Sequence, residues 1–362
     1  MVVANFVNNG IGTVVLNYSR ELVRDGGEVT VFVGGPVGED KQAEADGCGI
    51  SVVQLPSRKK RPIAYLGELR RRVRAGGFDI VHVHGNSGMV LPDLLAARAN
   101  RVVTVACHCH NTGCEHPVLH RILKRAVPGG GDILLACSEE AGRWLYGDAP
   151  FTVLPNAFDT ARFSYSEEAR ASVRAGLGIP EGAFVLGDVA RLNPEKNHAF
   201  LIGVFEELRK RDPDARLVIA GDGPGRAAVE DMVAASPARG GILMLGDVPD
   251  PSGLYSALDA FVFPSIHEGL GIVLVEAQIA GLGCWVSDDV PAAAGLCGLF
   301  HQFPLADGPA VWAERIQKRA QGSPREELSR KALACAAPFD IANTYGLLRG
   351  LYEVAVRERK AA

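Results

Sequence analysis

At 362 residues the chain is longer than one hydrophobic core usually supports, so two domains are the starting expectation. Its 47 % hydrophobic and 22 % charged residues make an ordinary soluble, globular balance, and a net charge of −4 excludes a global attraction to nucleic acid. The N-terminus lacks the basic start and apolar core of a secretory leader, and no apolar run reaches the ~20 residues of a membrane-spanning helix. A cytoplasmic protein is therefore predicted. Most of the eight cysteines, such as Cys137 in LLACS and Cys284 in GLGCWV, are expected to be buried thiols in a reducing compartment.

Short Val-rich runs alternate with amphipathic stretches from the first residues onward. Strands are predicted at 2–6, 29–34, 79–85, 102–108, 132–138 and 151–156, with helical patterns in TVVLNYSRELVRDG, IAYLGELRRRVRAG, LPDLLAARA and HPVLHRILKRAV. The first strand is short, which suggests that the natural chain begins a few residues upstream. The polar stretch 155–183, bounded by Pro155 and Pro180, reads as a loop-rich linker. The rhythm then restarts, with strands at 184–190, 215–221, 242–248, 260–265 and 283–288. Helices fall near 197–211, 224–235, 252–258 and 272–281, and 308–361 reads as helical. This βαβ order predicts α/β domains with parallel sheets covered on both faces, whose ligands bind at strand carboxyl ends.

Candidate chemistry clusters just after strands. In SIHEGLGIVLVEAQIAG (265–281), a helix beginning near Leu270 leaves the N–H groups of Gly269, Leu270, Gly271 and Ile272 free for an anion or for sugar hydroxyls. Glu268 and Glu276 offer carboxylates to hydroxyls on either side of that start. The plainer reading is an acidic residue placed for the helix dipole and an exposed glutamate. In VARLNPEKNH, Arg191 and Lys196 follow a strand end, where a forked guanidinium and a point charge suit a diphosphate. Taken alone, such a pair is more often simply solvated. NNGIGT places Gly10 and Gly12 in a turn between strand and helix, a weak phosphate-binding signal because Val15 stands where the dinucleotide pattern needs a third glycine.

Other features carry less. The stretch CHCHNTGCEH (107–116) tempts a zinc assignment, but strand alternation puts His108 and His110 on one face and Cys107 and Cys109 on the other, and no C-x-x-C pair exists. His110 suits a polar wall, and His82 and His84 read as satisfied histidines. AGDGPGR (220–226) reads as a strand-end turn. Basic residues crowd 58–74, and Arg121, Lys124 and Arg125 add to them; these are solvated helix faces or a contact with anionic lipid headgroups.

The ordered set Arg191, Lys196 and Glu268-x7-Glu276 resembles family 4 glycosyltransferases of the GT-B fold, over nearly the whole chain. VHVHGNSG, HCHNT, ACSEEAGRWLYG and FTVLPNAFD resemble the bacterial exopolysaccharide and capsular polysaccharide branch. The chain departs from the family pattern at Asn9, Ala190, Gly283 and Trp285. The resemblance implies two Rossmann-like domains facing across a cleft: an acceptor-side domain over 1–157 and a nucleotide-sugar domain over 158–335. A final helix over 336–362 would cross back to the first domain. It further implies retaining, metal-independent transfer from a nucleotide sugar, usually UDP-linked, to a saccharide or lipid-linked acceptor, with no cofactor. Arg191 and Lys196 would hold the diphosphate, helped by backbone near Gly10 and Gly12. Glu268 would bind sugar hydroxyls with the amides of Leu270 and Gly271, Glu276 would hold the ribose, and His110 would line the sugar site. Glycoside hydrolysis by the two carboxylates, a nucleotide-sugar epimerase and a non-catalytic nucleotide-sugar-binding protein stand as alternatives.

Overall fold

The computed structural model describes residues 1–7, 10–98, 103–319 and 324–361. Asn8 and Asn9 lie outside the described residues, as does Val102 at the start of one predicted strand. The chain divides into two compact units, Met1–Phe158 with Pro338–Ala362, and Asp159–Ala337.

In the first unit, strands β1 (Val2–Val3), β2 (Thr30–Val33), β3 (Ser51–Gln54), β4 (Ile80–Gly85), β5 (Thr104–Cys109), β6 (Ile133–Ala136) and β7 (Thr152–Val153) form one parallel sheet in the order β3-β2-β1-β4-β5-β6-β7. Helices α1 (Gly10–Arg24), α2 (Glu39–Gly47), α3 (Pro62–Ala75), α4 (Leu91–Ala97), α5 (Pro117–Leu123) and α6 (Glu139–Tyr146) connect the strands. Side chains alternate across the sheet as the pleat requires. Val3, Val31 and Val33 pack with Val15 and Leu16 of α1 and Ala45 of α2. Val81, Val83, Cys107 and Cys109 pack on the other face with Tyr65 and Leu69 of α3, Leu94 of α4 and Leu145 of α6.

The first α-helix of the second unit is α7 (Glu167–Gly176), inside the stretch predicted to be loop. Ser166 caps it by accepting from the Ala169 N–H (3.1 Å). The buried side of this helix carries Arg174, held by Asp259 and the carbonyls of Ala257, Glu181 and Ala183, so it lacks the apolar period of a sequence-visible helix. There follow β8 (Val185–Val189), α8 (His198–Arg209), β9 (Arg216–Ala220), α9 (Arg226–Ala235), β10 (Ile242–Gly246), α10 (Ser252–Ala257), β11 (Ala260–Phe263), α11 (Ile272–Ile279), β12 (Gly283–Ser287), β13 (Phe300–Phe303), α12 (Gly308–Arg319) and α13 (Arg325–Cys335). The sheet order is β10-β9-β8-β11-β12-β13, again all parallel. Helix α14 (Ile341–Ala361) returns to the first unit and packs on α1.

Two of the departures from the family pattern explain each other. A Cβ on Gly283 would stand 2.7 Å from the Trp285 ring, so the bulky indole fits only because its neighbour on the same face has no side chain. The expectation of free thiols is corrected at two positions: Cys297 and Cys335 form a disulfide, while the other six cysteines are free. Among the described residues, no helix is long and apolar enough to cross a membrane.

The four histidines of β4 and the β5 end form a buried ladder facing α1 and α14. His82 stacks on His84 and His108 lies against His110, each pair with ring centroids 4.0 Å apart. Burial lowers all four pKa values from the ordinary ~6.5, in His110 to about 4. The native ladder therefore stays neutral where the unfolded chain takes up protons. This stability is fully present above about pH 6.5 and is lost as pH falls toward 4, by about 3 kcal/mol for His110 alone. Thermal unfolding across this range is expected to show Tm falling with pH more steeply in the native protein than in a His110→Asn variant; parallel curves would refute the buried neutral ladder.

Candidate active site

In the second unit β8 and β11 are adjacent strands from which the chain leaves in opposite directions, the place where open α/β sheets bind ligands. Arg191 follows β8 and Glu268 follows β11. The segment after β8 is shaped by the turn after β9. Leu192 N–H donates to the Asp222 carbonyl (3.0 Å) and Gly225 N–H to the Leu192 carbonyl (2.8 Å). Gly221, with φ 142°, lies so close that a Cβ would stand 1.8 Å from the Ala190 carbonyl oxygen. The glycines of AGDGPGR thus serve as a strand-end turn that seats the Arg191 loop.

The 3-10 turn Pro194–Lys196 is stitched to the loop after β11, because Ile266 N–H donates to the Glu195 carbonyl (2.8 Å). Lys196 Nζ pairs with Glu268 Oε1 and sits 4.6 Å from the Phe263 ring centroid. Ser265 Oγ lies 3.1 Å from the same carboxylate oxygen and 3.0 Å from the Glu195 carbonyl. Arg191 is exposed and makes no ion pair among the described residues.

Helix α11 starts at Ile272, two residues later than the expected Leu270, because Gly271 caps it in the left-handed region at φ 74°. Gly269 and Leu270 therefore belong to the approaching loop and Ile272 is the first helical residue. None of the N–H groups of Gly269, Leu270, Gly271 and Ile272 donates to a protein acceptor among the described residues. Glu276 lies one turn further along and accepts from Tyr255 Oη (2.7 Å). Burial pushes its carboxyl up to about 7, although the tyrosine hydroxyl and Arg162 act in the opposite sense.

Arg191, Lys196, Glu268, Gly269, Leu270, Gly271, Ile272 and Glu276 thus all belong to the second unit. Gly10, Gly12 and His110 belong to the first. Gly10 and Gly12 stand in the first turn of α1 rather than in a turn before it. There the N–H groups of a helix have no acceptor within the helix. His110 differs from expectation more sharply. Only 5 % exposed, it places Nδ1 2.6 Å from Asn156 Oδ1 and Nε2 2.9 Å from His84 Nδ1, so neither ring nitrogen is left for a sugar hydroxyl. Tyr255, Ser265 and Phe263 were missed. Ser265 sits at a strand end where it was open to notice, but Tyr255 meets Glu276 across 21 positions and has no local signal.

One nitrogen each of His82, His84 and His108 lie within 4.8 Å of one another. Imidazole lone pairs lie in the ring planes, and the His82 and His84 rings face each other only 26° from parallel. As placed, their lone pairs do not converge on one ion.

The sequence profile described as Glycosyltransferase Family 4 matches residues 8–162, and that of Glycosyl transferases group 1 matches residues 169–319. The chain is 32 % identical over 317 residues to the putative glycosyltransferase EpsF of Bacillus subtilis strain 168, covering 83 % of this chain and 81 % of that protein. It is 28 % identical over 321 residues to alpha-monoglucosyldiacylglycerol synthase of Acholeplasma laidlawii, with 78 % of each covered. Among solved structures, Anabaena Alr3699/HepE in complex with UDP and glucose superposes with a TM-score of 0.79 at 18 % identity, over 97 % of this chain and 99 % of that one. The fold is accordingly GT-B, with two Rossmann-like parallel-sheet domains.

Gly221→Ala is expected to destabilise the protein by about 2 kcal/mol or more, through the clash with Ala190 and the strained φ. An unchanged midpoint in urea denaturation would show that the β9 turn does not seat the Arg191 loop.

Proposed function

Because the chain belongs to glycosyltransferase family 4, we propose that it transfers a hexose or N-acetylhexosamine from a UDP-linked donor, with retention, to a saccharide or lipid-linked acceptor in surface-polysaccharide synthesis. One observation carries this reading: the Lys196–Glu268 pair stands beside exposed Arg191 and the free amides of Gly269 to Ile272, at the strand ends of the second unit. Cations, amides and a carboxylate are the three kinds of group that a nucleoside diphosphate sugar requires.

Arrival of the diphosphate offers Lys196 a dianionic partner in place of one carboxylate. Glu268 is then released to accept from sugar hydroxyls, while the amides of Leu270 and Gly271 donate to sugar oxygens. In the transfer the bond between the sugar anomeric carbon and the diphosphate oxygen breaks. Charge developing on that oxygen meets Arg191 and Lys196. The acceptor hydroxyl forms its bond from the same face and its proton passes to the departing diphosphate, so no protein nucleophile is needed. Two side-chain cations thus supply the positive charge without a metal. Glu276 accepts the ribose hydroxyls, its free oxygen being available beside the one bound to Tyr255. The family resemblance assigns Gly10 and Gly12 of the first unit to donor binding as well, and gives His110 a role through the polar wall it builds rather than through a free nitrogen. The names of the relatives, one linked to a diacylglycerol product and one solved with UDP and glucose, support the donor and acceptor classes. The basic helices of the first unit support peripheral contact with anionic membrane on the cytoplasmic side, where a lipid-linked acceptor would be met.

Lys196→Ala is expected to lower kcat by about 10²–10³-fold with a native melting curve; full activity would remove Lys196 from the reaction. Glu276 gives a pH signature. Its carboxyl is protonated in much of the free protein below about pH 7, and hydroxyl donors favour the ionised form. UDP affinity is therefore expected to strengthen as pH rises through about 7, with proton release on binding in calorimetry below that pH. Both effects should vanish in Glu276→Gln, and their persistence there would refute the ribose role.

A further inference from the structure

We propose that the Cys297–Cys335 disulfide of the second unit is a redox modification site, opened by a dithiol reductant and closed by a low-molecular-weight disulfide, whose state sets how firmly α11 is held. The inference rests on the proposed function for its compartment and for its effect on UDP. Cys297 stands in the loop between β12 and β13, Cys335 is the last residue of α13, and both are exposed. The other six cysteines are free and each is buried or half-buried. On the cytoplasmic side, where the proposed function places the chain, lasting disulfides are rare and exposed ones exchange readily.

The surroundings suit both states of the pair. Cys297 has φ 47°, in the left-handed region that a residue with a Cβ rarely adopts, and Gly298 follows at φ 78°. Such backbone persists only where its surroundings hold it, and the bond to α13 is one such hold. Cys297 Sγ also lies 3.3 Å from the carbonyl oxygen of Lys331, one turn before Cys335, so a thiol set free there has an acceptor at hand. Reduction begins when a thiolate attacks one of the two sulfurs. The S–S bond breaks and its electron pair leaves on the other sulfur. The second thiolate of the reductant then resolves the mixed disulfide, so two electrons pass to the protein and one proton settles on each cysteine. Oxidised glutathione runs the exchange the other way, taking up those electrons and protons as two molecules of the reduced thiol.

The bond reaches the donor residues because the loop and α13 grip the same helix. Gln278, fully buried in α11, donates through Nε2 to the carbonyls of Ala294 (2.7 Å) and Leu274 (2.8 Å) and accepts at Oε1 from Leu296 N–H (2.6 Å). Leu296 is the chain neighbour of Cys297. At the other end of α13, the Arg325 guanidinium donates to the carbonyls of Ala280 (2.6 Å) and Tyr255 (2.8 Å). The first closes the end of α11 and the second belongs to the residue that holds Glu276. Gly281 comes so near α13 that a Cβ would stand 2.6 Å from the Arg325 carbonyl oxygen. Closed, the disulfide joins the loop to α13 and completes a clasp around the helix that carries Glu276 and follows the free amides of Gly269 to Ile272. Opened, it removes the covalent member of that clasp and a cross-link across 38 positions that restricts the unfolded chain.

Millimolar dithiothreitol should open the bond in the full chain without denaturant, and oxidised glutathione should restore it, read by alkylation and peptide mass spectrometry at Cys297 and Cys335. Opening should lower Tm by at least about 5 °C and raise deuterium uptake in residues 272–280. It should weaken UDP binding about threefold or more, because a helix held part of the time is competent part of the time. Cys297→Ser with Cys335→Ser should behave as the reduced chain and ignore both reagents, whereas Cys48→Ser with Cys114→Ser should respond as the native chain does. The proposal is overturned if the disulfide resists dithiothreitol until the chain unfolds, if oxidised glutathione does not re-form it, if uptake in 272–280 is the same in both states, or if the Cys297 and Cys335 double variant keeps the redox response. Equal UDP affinity in the two states would overturn the link to α11 and leave the donor site in place. Redox-dependent uptake in a chain that binds no UDP in either state would leave the redox site standing and count against the donor site.

Discussion

Two neighbouring parallel strands, β8 and β11, send their chains away from each other, so neither connection covers the gap between their carboxyl ends. Everything proposed for the second unit depends on that gap. The Arg191 loop borders it from one strand and the Glu268 loop from the other. The two are held in register by the hydrogen bond from Ile266 to Glu195 and by the Lys196–Glu268 pair. Because both charged partners are mostly buried, the pair is sensitive to anything that offers Lys196 a stronger anion.

The first unit follows the same strand order but fills its sheet differently. Where the second unit packs apolar side chains, β4 and the end of β5 place four histidines under α1 and α14. They are tolerable there because most of their ring nitrogens meet a partner. Tyr352, the Leu154 carbonyl, Asn156 and another histidine of the ladder serve that purpose. The arrangement ties α14, the last helix of the chain, to the centre of the first sheet through Tyr352. The opposite face of that sheet is an ordinary apolar core, and the helices covering it carry the excess positive charge.

The sequence by itself determined the parts of this protein that depend on local pattern. Alternating Val-rich runs predicted nearly every central strand, because a strand buried on both faces needs a continuous apolar run. The edge strands β3 and β13 escaped notice, since their half-exposed positions leave no such run. Helix α7 escaped for a related reason: its buried anchor is Arg174, whose partners are scattered over the following 85 positions. The order of Arg191, Lys196, Glu268 and Glu276 was also legible, because strand ends and glycines mark where such groups stand. Tertiary structure alone decided which of these groups meet. It paired Lys196 with Glu268, gave Tyr255 to Glu276, enclosed both nitrogens of His110 and joined Cys297 to Cys335. Those outcomes depend on contacts between residues far apart in the chain, which only the packed sheets and helices bring within reach.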